Sequence, residues 1–579
     1  MGSVGTTSPL VNDRETDVLV VGAGVAGLTL SVLLAQYGIR TLTVAKHSGT
    51  APQPRAHVTN QRTMEVFRDM GIEDRVVEQA IRMTEVGSGV MLTSLTGLEI
   101  ARYACYGAGD DQMSDFTAAS PCAMMNIPQN LLEQILYSRL RELGGDVHFY
   151  QEVIDVTQDT DHASATVRDR HTHDCYNVRA QFVVAADGGR SLIAEKLGIG
   201  FIGQPGLMSM LTTWLEMDLE QQLVLGSSGT LIIVRRWDQW LLNRQYDAAD
   251  GEPDTSDEAV IAHARKVLNI PQDLPIKVKD SSKWQVNNLV ATTYQHGRIF
   301  LAGDAAHRHP PSSGLGSNTC VQDAYNIAWK LALVVKGKAS EKLLESYTQE
   351  RQPIGKQVVD HAIQTLYNWA MVPTTLGFKK GQSLEEGFES LEHLFSDALE
   401  AEDRRAELEK VVKLQDRRSN AIGLHLGQRY SDSRAVVDDG TPFPEYERDP
   451  VLHYEPTTHT GAYLPHAWVS YQGKRVSTLD IIPHGLFGLI CGIRGKLWRQ
   501  AAQDVERELG LELPTYSVGY RCEYDDVFGL WSKRKEMKDD GVLVVRPDRH
   551  IAFRSVTMAA DPYNVLKSAI LHVLNWNKA

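Results

Sequence analysis

Three short segments combine residue types that could hold a phosphorylated, hydroxyl-rich ligand. Gly22-Ala23-Gly24-Val25-Ala26-Gly27 is a GxGxxG turn placed directly after an apolar run. The pattern alone is unspecific, but in that position it lets backbone N–H groups and a helix N-terminus face a pyrophosphate. Asp187-Gly188-Gly189-Arg190-Ser191 follows a second apolar run, Phe182 to Ala186, and Gly303-Asp304 ends a third that begins at Arg298. A carboxylate at a strand end can accept hydrogen bonds from ribityl hydroxyls. The last segment continues through Pro310-Pro311 into Gly314-Leu315-Gly316-Ser317-Asn318. Here Gly314 and Gly316 would let the backbone approach a flat ring, and a helix opening near Ser317 would aim N–H groups at an edge that gains negative charge on reduction.

Positioning these residues requires particular elements. Asp17 to Val21 reads as a strand, Leu28 to Gln36 as a helix and Ile39 to Val44 as the next strand, which makes a βαβ unit. Ile127 to Leu143 has helical periodicity, Val147 to Val184 alternates like strands, and Thr319 to Val335 is a further helix. Between 200 and 287, runs such as Thr230 to Val234 and Trp240 to Tyr246 predict an antiparallel sheet in a layer of its own. Residues 366–454 read as helix and linker, with Glu400 to Arg418 a solvated helix face. After Pro465-His466 a new α/β pattern begins. These readings divide the chain into a dinucleotide-binding domain (14–85, 127–200 and 288–365), a sheet layer (86–126 and 201–287), the 366–454 segment and a C-terminal domain (455–579).

The 579 residues are 42% hydrophobic and 23% charged, with a net charge of -14. Those values fit a soluble multidomain protein and argue against nucleic-acid or anionic-membrane partners. The six cysteines form no CxxC pair, which points to reduced thiols in a cytoplasmic protein. The uncharged stretch 18–39 is preceded by acidic residues and broken by glycines, so it reads as strand, turn and helix in place of a signal or membrane segment.

In order and spacing, the three segments resemble the dinucleotide, DG and GD fingerprints of the class A flavoprotein aromatic hydroxylases, which include para-hydroxybenzoate hydroxylase and phenol hydroxylase. Pro54-Arg55-Ala56-His57-Val58-Thr59-Asn60-Gln61-Arg62 and His309 to Asn318 resemble the 2,4-dichlorophenol hydroxylase-like members. The resemblance implies an α/β fold: a Rossmann-like FAD-binding domain, an antiparallel β-sheet substrate domain and a thioredoxin-like C-terminal domain. It also implies non-covalent FAD, with NADPH or NADH as co-substrate, and hydroxylation of a phenolic ring with O2 through a C4a-hydroperoxyflavin. The cofactor contacts it implies are Gly22, Gly24, Ala26, Gly27, Ala45, Lys46, Arg55, Gln129, Val153, Asp187, Gly303, Asp304, Pro311, Gly314, Leu315, Gly316, Ser317 and Asn318, with Pro310 beside the reactive ring carbon. Two departures stand out. Ala45-Lys46 replaces the acidic residue expected to hold the ribose, leaving Lys46 or Arg55 as candidates, and Ala194 replaces an arginine common in the DG motif.

His57 is the candidate base for the substrate hydroxyl, since ionising a phenol strengthens it as a nucleophile. Trp237 and Trp240 are candidates for an aromatic pocket wall, with core packing as their alternative. No metal is expected: His307 and His309 belong to the loop motif, and His171 to Cys175 reads as a solvated turn. The C-terminal domain is expected to be separable, to contribute homodimer contacts and to carry no chemistry, because Cys491-Gly492-Ile493-Arg494 lacks a second cysteine. Two other readings remain: a natural-product tailoring oxygenase performing epoxidation, dearomatisation or Baeyer-Villiger-type insertion, and a non-catalytic flavin-binding regulatory protein.

Overall fold

The computed structural model describes residues 13–95, 97–219, 230–235, 238–379 and 381–576. A parallel sheet forms its centre. Strands Ile299–Leu301, Cys175–Ala185, Arg14–Val21, Thr41–Ala45 and Asp146–Phe149 lie side by side in that order. The stretches that pair at its centre, Val18–Val21, Phe182–Ala185 and Ile299–Leu301, are continuous in buried apolar residues, as expected of strands covered on both faces. The βαβ unit is present, with its helix at Val25–Gln36, and helices Gln129–Glu142 and Gly316–Val335 pack against that helix. Strands Gln151–Gln158 and Ala163–Asp169 form an antiparallel branch off Cys175–Ala185.

The antiparallel layer is a five-stranded sheet in the order Thr230–Arg235, Gln239–Tyr246, Phe201–Glu216, Lys277–Ala291, His307–Arg308. Its edge strand comes from the Gly303-Asp304 segment, so the two layers share a seam. Helix Asp257–Leu268 covers one face of this sheet. Periodicity favoured strands throughout that stretch, yet the helix is well marked. The Ser256 hydroxyl caps it, acidic residues fill its first turn, Arg265 and Lys266 its last, and Asn269 ends it at φ +52°. Segment 86–126 supplies no strand to this sheet: Ser88–Leu92 and Glu99–Ala104 pair with each other, and Met125–Asn126 pairs with Val58–Thr59.

Helix Leu399–Lys413 is more than a solvated face. Ala401, Leu408 and Val411 are buried, and the last two pack with Leu376 and Leu391. The C-terminal unit contains a seven-stranded mixed sheet flanked by helices Lys496–Leu509 and Pro562–Val573. Its core is continuous with the rest: Leu489, Trp498 and Val544 cluster with Trp329 and Leu343. Among the described residues no helix is long and apolar enough to cross a membrane.

Candidate active site

Strand register assembles the site. Val21 pairs with Ala185, and Ala185 with Leu301. The residues just past those three positions therefore emerge side by side: Gly22, Asp187 and Gly303-Asp304, from segments far apart in sequence. This is the carboxyl-end crevice where open parallel sheets bind ligands.

Close contact explains the glycines. Gly22 has φ +111°, and a Cβ there would lie 2.1 Å from the Ala186 carbonyl oxygen. At Gly27 a Cβ would lie 1.9 Å from the Gly22 oxygen. Helix Val25–Gln36 has no side-chain cap and no acidic residue in its first turn. Its leading N–H groups are thus oriented for an anion. Glu133 sits beside this turn, buried, accepting Gln129 Nε2 at 2.7 Å and the Ala51 N–H at 2.6 Å. Burial raises its pKa. Sequence reading missed Glu133, although its spacing of four from Gln129 on one helix face offered a signal.

Burial also raises the pKa of Asp187, whose Oδ1 has no hydrogen-bond partner while Oδ2 accepts the Ile193 N–H at 3.4 Å. Asp304 is open to solvent, yet protein surrounds it closely enough to push its pKa upward. Cations face these carboxylates: Arg308 and Arg55 near Asp304, Lys46 and Arg308 near Asp187. Arg55 is exposed, and the carbonyl of Lys46, just past Ala45, accepts Arg170 Nη1 at 2.7 Å. No acidic residue stands at position 45 or 46, so the rim there is cationic. Val153 is a core residue of strand Gln151–Gln158, paired with Val167.

The third segment folds as a tight loop. Pro310 is buried, Pro311–Ser313 is a 3-10 turn, Gly314 has φ +63° and the helix begins at Gly316. A Cβ on Gly314 would lie 2.8 Å from that of Val58. Asn318 stitches the two segments together. Its amide nitrogen donates to the Val58 carbonyl at 2.9 Å and the Gly314 carbonyl at 2.6 Å, and its oxygen accepts the Asn60 N–H at 2.9 Å. The Asn318 side chain is thereby fully engaged by backbone, and Leu315 points into a core with Ile354 and Val358. What these residues, Gly316 and Ser317 can offer a ligand is backbone at a helix start. Ala26 packs beneath Gly303, where a Cβ would lie 3.1 Å from its own.

His57 directly precedes the stitched residue Val58. His57 Nδ1 lies 3.0 Å from Asn126 Oδ1, and Asn126 Nδ2 donates to the Ile233 carbonyl at 3.3 Å. The second bond fixes the amide's orientation, so Nδ1 carries the hydrogen and Nε2 holds the lone pair. Burial lowers the His57 pKa, and the Asn126 contact opposes this.

A cleft opens where the Gln53–Arg55 stretch meets the antiparallel sheet, lined by Gln53, Pro54, Arg55, Thr212, Trp214, Leu241, Asp280 and Ser282. Trp240 is not part of it. Trp240 pairs with Leu215, and both point to the opposite face, into the core beneath helix Asp257–Leu268. The pair one residue along, Trp214 and Leu241, faces the cleft. Trp237 lies outside the described residues. His171 and His173 sit in an exposed turn. Among the described residues, no group of three or more His, Cys, Asp or Glu could hold a metal ion. The Cys491 thiol is buried, donates to the Tyr516 carbonyl at 3.4 Å and has its pKa pushed up to about 11. It is poorly suited to redox exchange.

These residues fit a bound FAD: a glycine cradle that a Cβ would fill, an uncapped helix start, an orphaned Asp187 oxygen and the solvent-open Asp304 carboxylate. Asp304→Ala is expected to weaken FAD binding by about 10- to 100-fold, the range for losing a charge-assisted hydrogen bond. Titrating flavin-free protein with FAD measures it, and unchanged affinity would remove Asp304 from the site.

Comparison with known proteins agrees. Residues 15–362 match the FAD binding domain family, and residues 457–575 match the C-terminal domain of aromatic-ring hydroxylases. The chain is 38% identical to 2,4-dichlorophenol 6-monooxygenase of Delftia acidovorans, over 97% of this chain and 98% of that one. It is 37% identical to phenol 2-monooxygenase of a Pseudomonas species, over 96% and 92%. Among solved structures, the flavin-dependent monooxygenase PieE in complex with FAD and substrate superposes with a TM-score of 0.93 at 38% identity, covering 97% of this chain and 99% of that one. Aklavinone-11 hydroxylase with FAD and aklavinone gives 0.80 at 30% identity, covering 98% and 100%. The chain therefore belongs to the FAD-dependent aromatic-ring hydroxylases, a family of flavoprotein monooxygenases.

Proposed function

We propose that this protein hydroxylates a phenolic ring using NADPH or NADH and O2, with His57 as the base that ionises or anchors the substrate hydroxyl. Bound FAD would supply the redox chemistry that links the nicotinamide, O2 and the ring. The protein's own residues do the rest. Asp304 and the Gly22–Gly27 turn hold the cofactor, the Pro310–Gly316 loop shapes the ring side, and His57 Nε2 accepts a proton from the substrate oxygen. The observation that supports this reading is the position of His57 directly before Val58, whose carbonyl is tied to the Gly314 loop through Asn318, together with the Asn126 contact that puts the imidazole hydrogen on Nδ1. Trp214 and Leu241 offer an apolar wall to a ring once the Gln53–Arg55 stretch moves aside, since the cleft as it stands has room only for a water-sized group and the Thr212 hydroxyl is taken by Asn243 and Trp284.

The test measures nicotinamide oxidation and O2 uptake against a panel of phenols, chlorinated phenols and polycyclic aromatics, with product mass read in parallel. A product heavier by one oxygen supports the proposal, and no turnover on any phenol overturns it. Trp214→Ala is expected to raise KM for the accepted phenol about tenfold with FAD affinity unchanged, as for lost aromatic packing. Steady-state kinetics would return Trp214 to a structural role if KM did not move.

The C-terminal unit is read here as thioredoxin-like. Parallel strands Gly488–Cys491 and Thr515–Gly519 joined through a helix, followed by the antiparallel pair Val542–Val545 and Ile551–Ser555 and a final helix, support that assignment. A cytoplasmic homodimer is the assembly we propose.

A further inference from the structure

The cofactor loop is held from behind by a fully buried carboxylate. Asp323, on helix Gly316–Val335, accepts the Gly303 N–H at 3.1 Å and His307 Nε2 at 2.8 Å on Oδ2, and Arg351 Nε at 2.8 Å on Oδ1. Gly303 is in a left-handed conformation, φ +64°, and a Cβ on it would lie 2.9 Å from Cys320 Sγ. The loop is thus pressed against the helix, and one hydrogen bond fixes the Ala302–Gly303 peptide, one residue ahead of Asp304.

Arg351 is itself buried and held at its other end. Its Nη1 donates to Gln428 Oε1 at 3.1 Å and to the Tyr430 hydroxyl at 3.3 Å. The Tyr430 ring stacks on His550, centroids 4.1 Å apart, and Arg546 lies 5.3 Å from its centre. Arg546 pairs with Asp548 and with Glu350, the neighbour of Arg351 in sequence. Every link from the C-terminal unit to the loop is a direct contact within the interior. Such low-dielectric networks couple their members strongly, so loss at one end is felt at the other.

We propose that the C-terminal unit is part of the cofactor-holding apparatus: His550, Tyr430, Arg351 and Asp323 form a buried relay that ends on the Gly303 N–H and sets how tightly FAD is retained. Asp323 and Arg351 are positioning residues, acting on FAD through the orientation of Gly303 and Asp304. Residues remote from the ligand in sequence and space thereby control its affinity.

The test uses full-length protein. Tyr430→Phe deletes only the hydroxyl that accepts from Arg351, and His550→Phe keeps a ring against Tyr430. FAD dissociation constants are measured by titrating flavin-free protein, with thermal unfolding of the flavin-free protein in parallel. Each single variant is expected to raise the FAD dissociation constant by about three- to tenfold, and Asp323→Asn by more than tenfold. In the double variant Asp323→Asn with Tyr430→Phe, the second change is expected to add little, because the relay is already cut. Wild-type FAD affinity in both Tyr430→Phe and His550→Phe overturns the proposal. So does full additivity with Asp323→Asn, or a loss of flavin-free stability in the single variants with no change in affinity.

Discussion

A chain ended before residue 455 is expected to yield no soluble, flavin-loaded protein. Separability was the natural expectation from the change of pattern after Pro465, and the packing argues against it. Removing the C-terminal unit strips Phe487, Leu489 and Trp498 from around Trp329 and Leu343, opening an apolar face. It also breaks buried ion pairs. Glu350 loses Arg546, and Asp69 loses both Arg549 and His484, leaving Tyr325 as its remaining side-chain partner. Breaking one buried pair typically costs about 3–5 kcal/mol, against a total stability of roughly 5–15 kcal/mol for a folded protein. Glu350 keeps Lys330 Nζ and Asn326 Nδ2, each at 2.6 Å, so Asp69 is the larger loss, and that loss plus the exposed core takes a large share of the margin. Arg62 would further lose the Tyr463 ring stacked 3.0 Å away. Soluble yield, gel filtration and flavin absorbance check the expectation. A monodisperse, yellow truncated protein with cooperative unfolding would show that the two parts fold independently.

Local constraints were legible in the sequence and long-range pairings were not. Gly22 and Gly27 could be read because a turn that tight admits no side chain, and Asp187 and Asp304 because each closes an apolar run that had to be a buried strand. Adjacency of those strand ends follows from the order of a parallel sheet. The facing of Trp240 was not legible: whether it meets a cleft or a core depends on its register against Phe201–Glu216, and a shift of one residue reverses the answer. Trp214, one pair along, carried no signal of its own until that register was fixed. Asn318 sat in a recognisable motif, but its side chain spends its bonding capacity on Val58, Asn60 and Gly314, a tie that joins segments from opposite ends of the domain. The Asp323–Arg351–Tyr430–His550 relay was hidden for the same reason, because side chains from four separate segments give no periodic pattern. Helix Asp257–Leu268 is a different case, since its caps were present and were outweighed by the β-branched residues around it.

His57→Ala is expected to lower hydroxylation by about 10²- to 10⁴-fold, the usual contribution of a positioned general base, while FAD binding persists. The structure supports this role through tautomer and charge. Asn126 takes the Nδ1 hydrogen, so the lone pair resides on Nε2, and burial favours the neutral imidazole. Because its pKa lies below the ordinary histidine value, the base form survives to lower pH than a solvent-exposed imidazole would allow. Wild-type hydroxylation should therefore hold down through the ordinary histidine range and fall only as pH drops through the depressed pKa. In the variant that acid limb disappears, and the rate should instead rise with pH as the phenol ionises unaided. Substrates with more acidic hydroxyls should recover most. Nicotinamide oxidation should continue in the variant with its electrons diverted to hydrogen peroxide, since an un-ionised ring is a poor acceptor of electrophilic oxygen. Parallel measurement of product, nicotinamide and peroxide across pH separates these effects. Wild-type coupling with an unchanged pH profile would leave His57 as a structural partner of Asn126.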